Sequence, residues 1–278
     1  MRRVLVTGAA GRIGSFFAEQ MQSTYNLRLM VRGDEEGIER LDAWGEVVTA
    51  DLADLERLKE VCAGVNTVVH LSGDPDPAAL WKDLLETNIV GMYHLFAAAK
   101  AAGVRRVVHA SSIHAVSGYP ADVQVKTTEP VNPGDLYGVS KCFGEALCRY
   151  MAEKEGVSAI AIRIGAFQPV ASVQREQGLD ILDDFVSERD LTQLLQRCID
   201  VDDLPFAILH GLSDDRFKRL DISSARTLVG YAPQDNSLTE MPGLRELHLE
   251  DHADSVDGAM EPARSGLRAE TEASPRLM

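Results

Sequence analysis

Two rhythms of apolar and polar positions alternate along most of the chain: short apolar runs, and longer stretches with helical spacing. Val4–Val6, Leu27–Val31, Val47–Val48, Thr67–His70, Arg106–Ala110 and Ala159–Arg163 read as strands, most of them apolar enough to be buried on both faces. The third of these is expected to end at Asp51. Helix formers at helical spacing fill Ile13–Gln22, a segment capped by Asp54 and running through Val61, a long stretch from about Leu80 to Ala102, and Tyr137–Lys154. Strands alternating with helices of this length predict βαβ units, hence an α/β, Rossmann-like doubly wound parallel sheet. From about Phe167 the rhythm loosens. Phe185–Ile199, preceded by Asp183 and Asp184, predicts a helix, Phe206–His210 a strand, and Ser223–Leu228 a short helix ended by Gly230. The expected division is a main unit over 1–166, a small lobe over 167–250 with a partial return to the core, and a polar, disordered tail over 251–278.

Composition narrows the function classes. The 278 residues are 45% apolar, ample for a substantial core. A formal charge of -15 argues against binding nucleic acid, which needs a concentrated positive surface. Cys62, Cys142, Cys148 and Cys198 form no C-x-x-C pair and no zinc spacing, so they read as thiols in a reducing compartment, and no metal site is expected. Arg2-Arg3-Val4-Leu5-Val6 runs straight into glycines, too short for a signal peptide, and no apolar run is long enough to span a membrane. The expectation is a cytoplasmic protein.

The chemistry begins at Thr7-Gly8-Ala9-Ala10-Gly11-Arg12-Ile13-Gly14, a G-x-x-G-x-x-G turn between a strand and a helix. Glycines there let the backbone approach a pyrophosphate, which then meets the positive end of the helix. After the second strand, Val31-Arg32-Gly33-Asp34 reports on the adenosine ribose. An Arg suits a 2′-phosphate and a carboxylate a 2′-hydroxyl, so Arg32 predicts NADP as the preferred cofactor, while Asp34 keeps NAD possible. Asp51 and Leu52 are placed to accept from the adenine amino group and pack beside its ring. Tyr137 and Lys141 stand four apart on one helix face, where an ammonium group favours the phenolate and makes Tyr a usable base. Ser112, after the fifth strand, is placed to hold a substrate hydroxyl.

With these elements, and with Leu71-Ser72-Gly73 after His70, Asn88 and Ala110-Ser111-Ser112, the chain resembles the extended short-chain dehydrogenase/reductase family, also called the NAD-dependent epimerase/dehydratase family. The resemblance runs to about residue 240. It implies a Ser112/Tyr137/Lys141 catalytic set. It also implies a cofactor site formed by Gly8, Gly11, Arg12, Ile13, Gly14, Arg32, Asp51, Leu52, Leu71, Ser72, Gly73, Asn88, Tyr137 and Lys141. Within the family, Ser111-Ser112-Ile113-His114, Leu136–Glu145 and Arg163-Ile164-Gly165 are similar to the uronate dehydrogenases, which oxidise the anomeric carbon of free hexuronic acids. That likeness implies a substrate site of Ser112, His114, Tyr137 and Arg175, the last a guanidinium for a carboxylate. It also implies a sugar or sugar-acid substrate and a homodimer built on two long helices. Ile113, Ala166, Pro75 and Val31 depart from the group's pattern, replacing an Asn, two Ser and the ribose-directed Asp. Two alternatives share the motifs: a sugar-nucleotide epimerase or dehydratase, and a cofactor-sensing regulator without catalysis.

Overall fold

The computed structural model describes residues 1–170, 183–216 and 218–237. Among these, β1 (Arg3–Thr7), β2 (Asn26–Val31), β3 (Glu46–Thr49), β4 (Thr67–His70), β5 (Arg106–Ser112) and β6 (Ser158–Ile164) are strands of one sheet. β7 (Ala166–Gln168) and β8 (Phe185–Ser187) form a separate two-stranded parallel ladder, and β9 (Phe206–Gly211) returns to the main sheet. The order is β3-β2-β1-β4-β5-β6-β9, parallel throughout. The order reverses between β1 and β4, which opens a crevice beyond the carboxyl ends of the strands at that point.

The helices are α1 (Arg12–Met21), α2 (Leu55–Cys62), α3 (Trp81–Leu84), α4 (Met92–Ala101), α5 (Leu136–Lys154), α6 (Glu188–Asp200) and α7 (Ser223–Val229). They divide between the two faces because side chains alternate along each strand. Val4, Val6, Ile160 and Ile162 pack with Phe17, Leu194 and Ala225 of α1, α6 and α7. Leu5, Val68, Val107 and Ala159 pack with Leu58, Phe96 and Cys148 of α2, α4 and α5. These are the solid apolar runs of the sequence, buried on both sides.

Three elements differ from the sequence expectation. The third strand stops at Thr49, because Asp51 Oδ1 accepts from Ala53 N at 2.7 Å and turns the chain. The long helix is interrupted by a π-helical segment, Leu85–Gly91, which carries Asn88 inward. Phe185–Ser187 pairs with β7 instead of opening a helix; Ser187 is the N-cap, its Oγ accepting from Asp190 N at 3.1 Å. The segment 251–278, expected as a tail, lies outside the described residues, as does Arg175.

Candidate active site

The glycine turn between β1 and α1 is shaped by contacts that admit no side chain. A Cβ on Gly14 would lie 2.3 Å from Gly8 O, and one on Gly8, whose φ is +65°, would lie 3.0 Å from Ser72 N. Gly11, the N-cap of α1, offers no side-chain cap, and the first turn of α1 holds no acidic residue. The helix therefore presents its positive end and its N–H groups uncapped beside a bare backbone, a fit for a dinucleotide pyrophosphate. Across the crevice, Thr7 Oγ1 accepts from Leu71 N and Ser72 N, both at 3.2 Å, and bonds His70 Nδ1 at 2.8 Å. This ties the end of β4 to the turn. Burial, with Lys141 nearby, lowers the His70 pKa to about 3, so the ring is neutral and Nδ1 accepts from the hydroxyl.

A cavity of about 300 Å³ opens at the ends of β4, β5 and β6. Ile13, Leu71 and Gly73 line its side toward the glycine turn, and Ser112, His114, Tyr137 and Lys141 meet there from β5, the loop after it and α5. Tyr137 is buried at the start of α5 and shares the cavity with Ser112. Burial pushes its pKa up to about 12, with Asp135 and Asp74 adding to the rise and Ser112 opposing it. Lys141 lies beneath, Nζ 5.3 Å from the Tyr137 ring centre and donating to Ala110 O at 3.0 Å. Burial lowers its pKa to about 8, against the pull of Asp74. On balance the surroundings hold Tyr137 as the neutral phenol, with Ser112 opposing the rise, while the ammonium group is held by the β5 backbone.

Asn88 donates to Ser140 Oγ at 3.0 Å and Asp74 O at 3.1 Å, and accepts from Asp74 N at 2.8 Å. Both amide hydrogens are used, so Asn88 sets the Gly73–Asp74 backbone against α5. Arg12 turns away from α1 and donates to Phe167 O and Gln168 Oε1, each at 2.9 Å. Leu52 is buried against Gly91, and Asp51 is exposed in its own turn. Arg32 is exposed beyond β2, its Nε 3.3 Å from Asp34 and 3.9 Å from Glu35.

Several residues escaped the sequence reading. Asp135 caps α5, its Oδ1 accepting from Gly138 N at 2.6 Å, and its Oδ2 pairs with His114 Nδ1 at 2.6 Å. His114 then packs edge-on to Tyr137 with ring centres 5.3 Å apart. An Asp two residues before the Tyr is a recognisable N-cap signal. Its pairing with His114 is long-range and has none. Glu145, one turn beyond Lys141, is buried in a bidentate pair with Arg163 at 2.8 Å for both bonds. The rest of the lining joins Asp74 and Ser111 to apolar or small residues, among them Pro75, Ile113, Ile164, Ala166 and Phe167.

Comparison with known proteins gives the family. Residues 4–167 match the model of the NAD dependent epimerase/dehydratase family. The NAD-dependent glucose-6-phosphate dehydrogenase of Haloferax volcanii is 36% identical over 84% of this chain and 94% of its own length. The L-arabinose 1-dehydrogenase (NAD(P)(+)) of the same organism is 32% identical over 86% of this chain and 99% of its own. The crystal structure of uronate dehydrogenase from Agrobacterium tumefaciens superposes with a TM-score of 0.75 at 30% identity, covering 99% of this chain and 90% of that one.

Proposed function

This chain belongs to the NAD dependent epimerase/dehydratase family and is an NAD(P)-dependent oxidoreductase, and from that premise we propose that it oxidises the anomeric hydroxyl of a free sugar or sugar acid to a lactone. The observation that carries the reading is the meeting of Ser112, Tyr137 and Lys141 in one cavity beside the glycine turn. Gly8, Gly11 and Gly14 with the start of α1 hold the pyrophosphate. An oxidised nicotinamide held there would supply the hydride acceptor. Ser112 orients the reacting hydroxyl, and Tyr137 Oη takes its proton. Lys141 keeps positive charge near the phenolate, and His114, held through Nδ1 by Asp135, turns Nε2 to a second sugar oxygen. Arg175 pairs with an acidic substituent where the substrate has one.

Pro75, Ile113 and Ala166 offer no side-chain partner to the sugar hydroxyls beside them, and an unpaired buried hydroxyl is costly. They favour a sugar less polar, or differently substituted, than a hexuronic acid. NADP is the favoured cofactor in this reading, through Arg32. The exposed apolar side chains Trp81, Val90, Tyr93 and Tyr150 on α3–α5 support a homodimer through these helices, and free thiols at all four cysteines suit the cytoplasm. No helix among the described residues is long and apolar enough to cross a membrane. The test is a screen of purified protein against aldoses, uronic acids and deoxy or phosphorylated sugars with both cofactors, followed as reduced nicotinamide. Lactone formation with stoichiometric cofactor reduction is expected; product without net reduction would point to an epimerase or dehydratase instead.

A further inference from the structure

Beyond the end of β2 the chain builds an anion site and fills it itself. Met30 O and Val31 O accept from Ala9 N and Ala50 N, and past these last bonds the N–H groups of Arg32 and Gly33 both donate to one side chain. Gly33 has a φ of +104°, a backbone that favours glycine, and so both N–H groups converge on one point. That point is the carboxylate of Glu35: Arg32 N lies 3.0 Å from each of its oxygens, and Gly33 N lies 2.8 Å from Oε2. The Arg32 guanidinium stands 3.9 Å from the same carboxylate. Glu35 is only 22% exposed in its side chain, whereas Arg32 and Asp34 are 61% and 72% exposed. Successive N–H groups in such a concavity, beside a guanidinium, are a general anion-binding arrangement. Its place is the carboxyl end of β2, beside the glycine turn, where this class of fold seats the adenosine ribose and reads its 2′ position.

We propose that Glu35 limits the preference for NADP that Arg32 confers: its carboxylate occupies, from within the chain, the nest of Arg32 N, Gly33 N and guanidinium that a 2′-phosphate would enter. The inference rests on the cofactor reading above and deepens it. NADP must displace the carboxylate to reach the nest, with like-charge repulsion until it does. NAD leaves the contacts in place. The N–H bonds outweigh the cost of burial and hold the Glu35 carboxyl below the usual carboxylate range, so the internal anion is present throughout neutral pH. Arg32 gives NADP its affinity, and Glu35 limits it.

The experiment is calorimetric titration of wild type, Glu35→Gln, Glu35→Ala and Arg32→Ala with NADP, NAD, adenosine 2′,5′-bisphosphate and 5′-AMP. Both Glu35 variants should bind NADP and the bisphosphate about tenfold more tightly, with NAD and 5′-AMP within about threefold of wild type. Retained NAD binding serves as the check on folding. An NADP-to-NAD affinity ratio unchanged in both Glu35 variants would overturn the inference while leaving the cofactor reading intact. A loss of NAD affinity with no gain for NADP would make Glu35 a direct ligand of the ribose and overturn it too. If wild type binds neither cofactor, the cofactor reading itself falls, and the inference with it.

Discussion

At the scale of single residues, burial sets the pH behaviour expected of the pair proposed to react, Tyr137 and Lys141. Tyr137 is pushed up to about 12 and Lys141 down to about 8, each because its charged form loses water. Oxidation needs the phenol as a base, so kcat/KM should rise with pH while Tyr137 remains mostly protonated. Lys141 must be an ammonium group to favour the phenolate, and it loses its proton as pH passes about 8. The two demands predict a rise from acidic pH that bends over near the Lys141 pKa. Lys141→Met should remove the bend and lower kcat/KM by about 10²–10⁴, the usual range for a proton-transfer partner. Tyr137→Phe should lose at least as much. A pH–rate profile over the neutral to alkaline range checks both; a bend near 8 that survives in Lys141→Met would assign it to another group. At the substrate end, Ala166→Ser should lower KM for fully hydroxylated sugars several-fold, on the order of 1 kcal/mol for one regained hydrogen bond. Unchanged KM across the sugar panel would place the substrate elsewhere in the cavity.

At the scale of elements, α5 works as a ruler. Tyr137, Lys141 and Glu145 follow at successive turns on its buried face, so whatever fixes Glu145 fixes the phase of the other two. Glu145 is fixed three times: by both bonds to Arg163 on β6 and by Ser111 Oγ on β5 at 2.7 Å. Ser111 precedes Ser112, so this carboxylate joins the strand that carries one reactive group to the helix that carries the others. Arg163 Nη1 also meets His210 Nε2 at 3.3 Å on β9, while His210 Nδ1 donates to Asp221 O at 2.8 Å. Glu145→Gln leaves the buried Arg163 without a counter-ion and should cost about 3–5 kcal/mol, whereas Glu145→Leu with Arg163→Met should cost far less. Urea unfolding of the three proteins tests this; equal losses in the single and double variants would mean that packing, not charge, is at stake. How much of this was legible follows from sequence distance. The i, i+4 spacing of Tyr137 and Lys141 and the glycines of the β1–α1 turn are local, and local geometry can be read from spacing. Asp135 with His114, Glu145 with Arg163, and the π-helical turn that carries Asn88 inward depend on neighbours brought in by the sheet. Glu35 lay within three residues of Arg32, yet only the backbone turn at Gly33 shows which way its carboxylate points.

At the scale of the whole molecule, the sheet stores uncharged histidines. Thr7, His70 and His109 stand in register across β1, β4 and β5 on the face that α4 and α5 cover. His70 and His109 have ring centres 5.6 Å apart, and both ring nitrogens of His109 are buried without a hydrogen-bond partner among the described residues. Burial, then Lys141, lowers His70 to about 3 and holds His109 well below the ordinary value; burial lowers His210 to about 4. In the unfolded chain each histidine takes up a proton as pH falls through about 6.5, and in the fold it does not. The unfolded state therefore binds more protons below that pH, and stability is lost as pH falls. Each such group contributes up to about 1.4 kcal/mol per pH unit until its folded pKa is reached. Asp215, raised to about 6 by burial, and Asp184, raised by burial and by Asp183, act in the opposite sense between the unfolded carboxylate range and their own pKa values. The wild-type curve mixes both signs, so the informative measurement is a difference. His109→Leu removes one buried base and its unsatisfied nitrogens without opening a large cavity. It should leave stability at pH 7.5 equal to wild type or higher by about 1 kcal/mol, and should fall less steeply below pH 6.5. Chemical denaturation at pH 7.5, 6 and 5 gives the comparison. A parallel loss in variant and wild type, with a deficit already present at pH 7.5, would show that His109 is hydrogen-bonded in solution and that the slope comes from other groups.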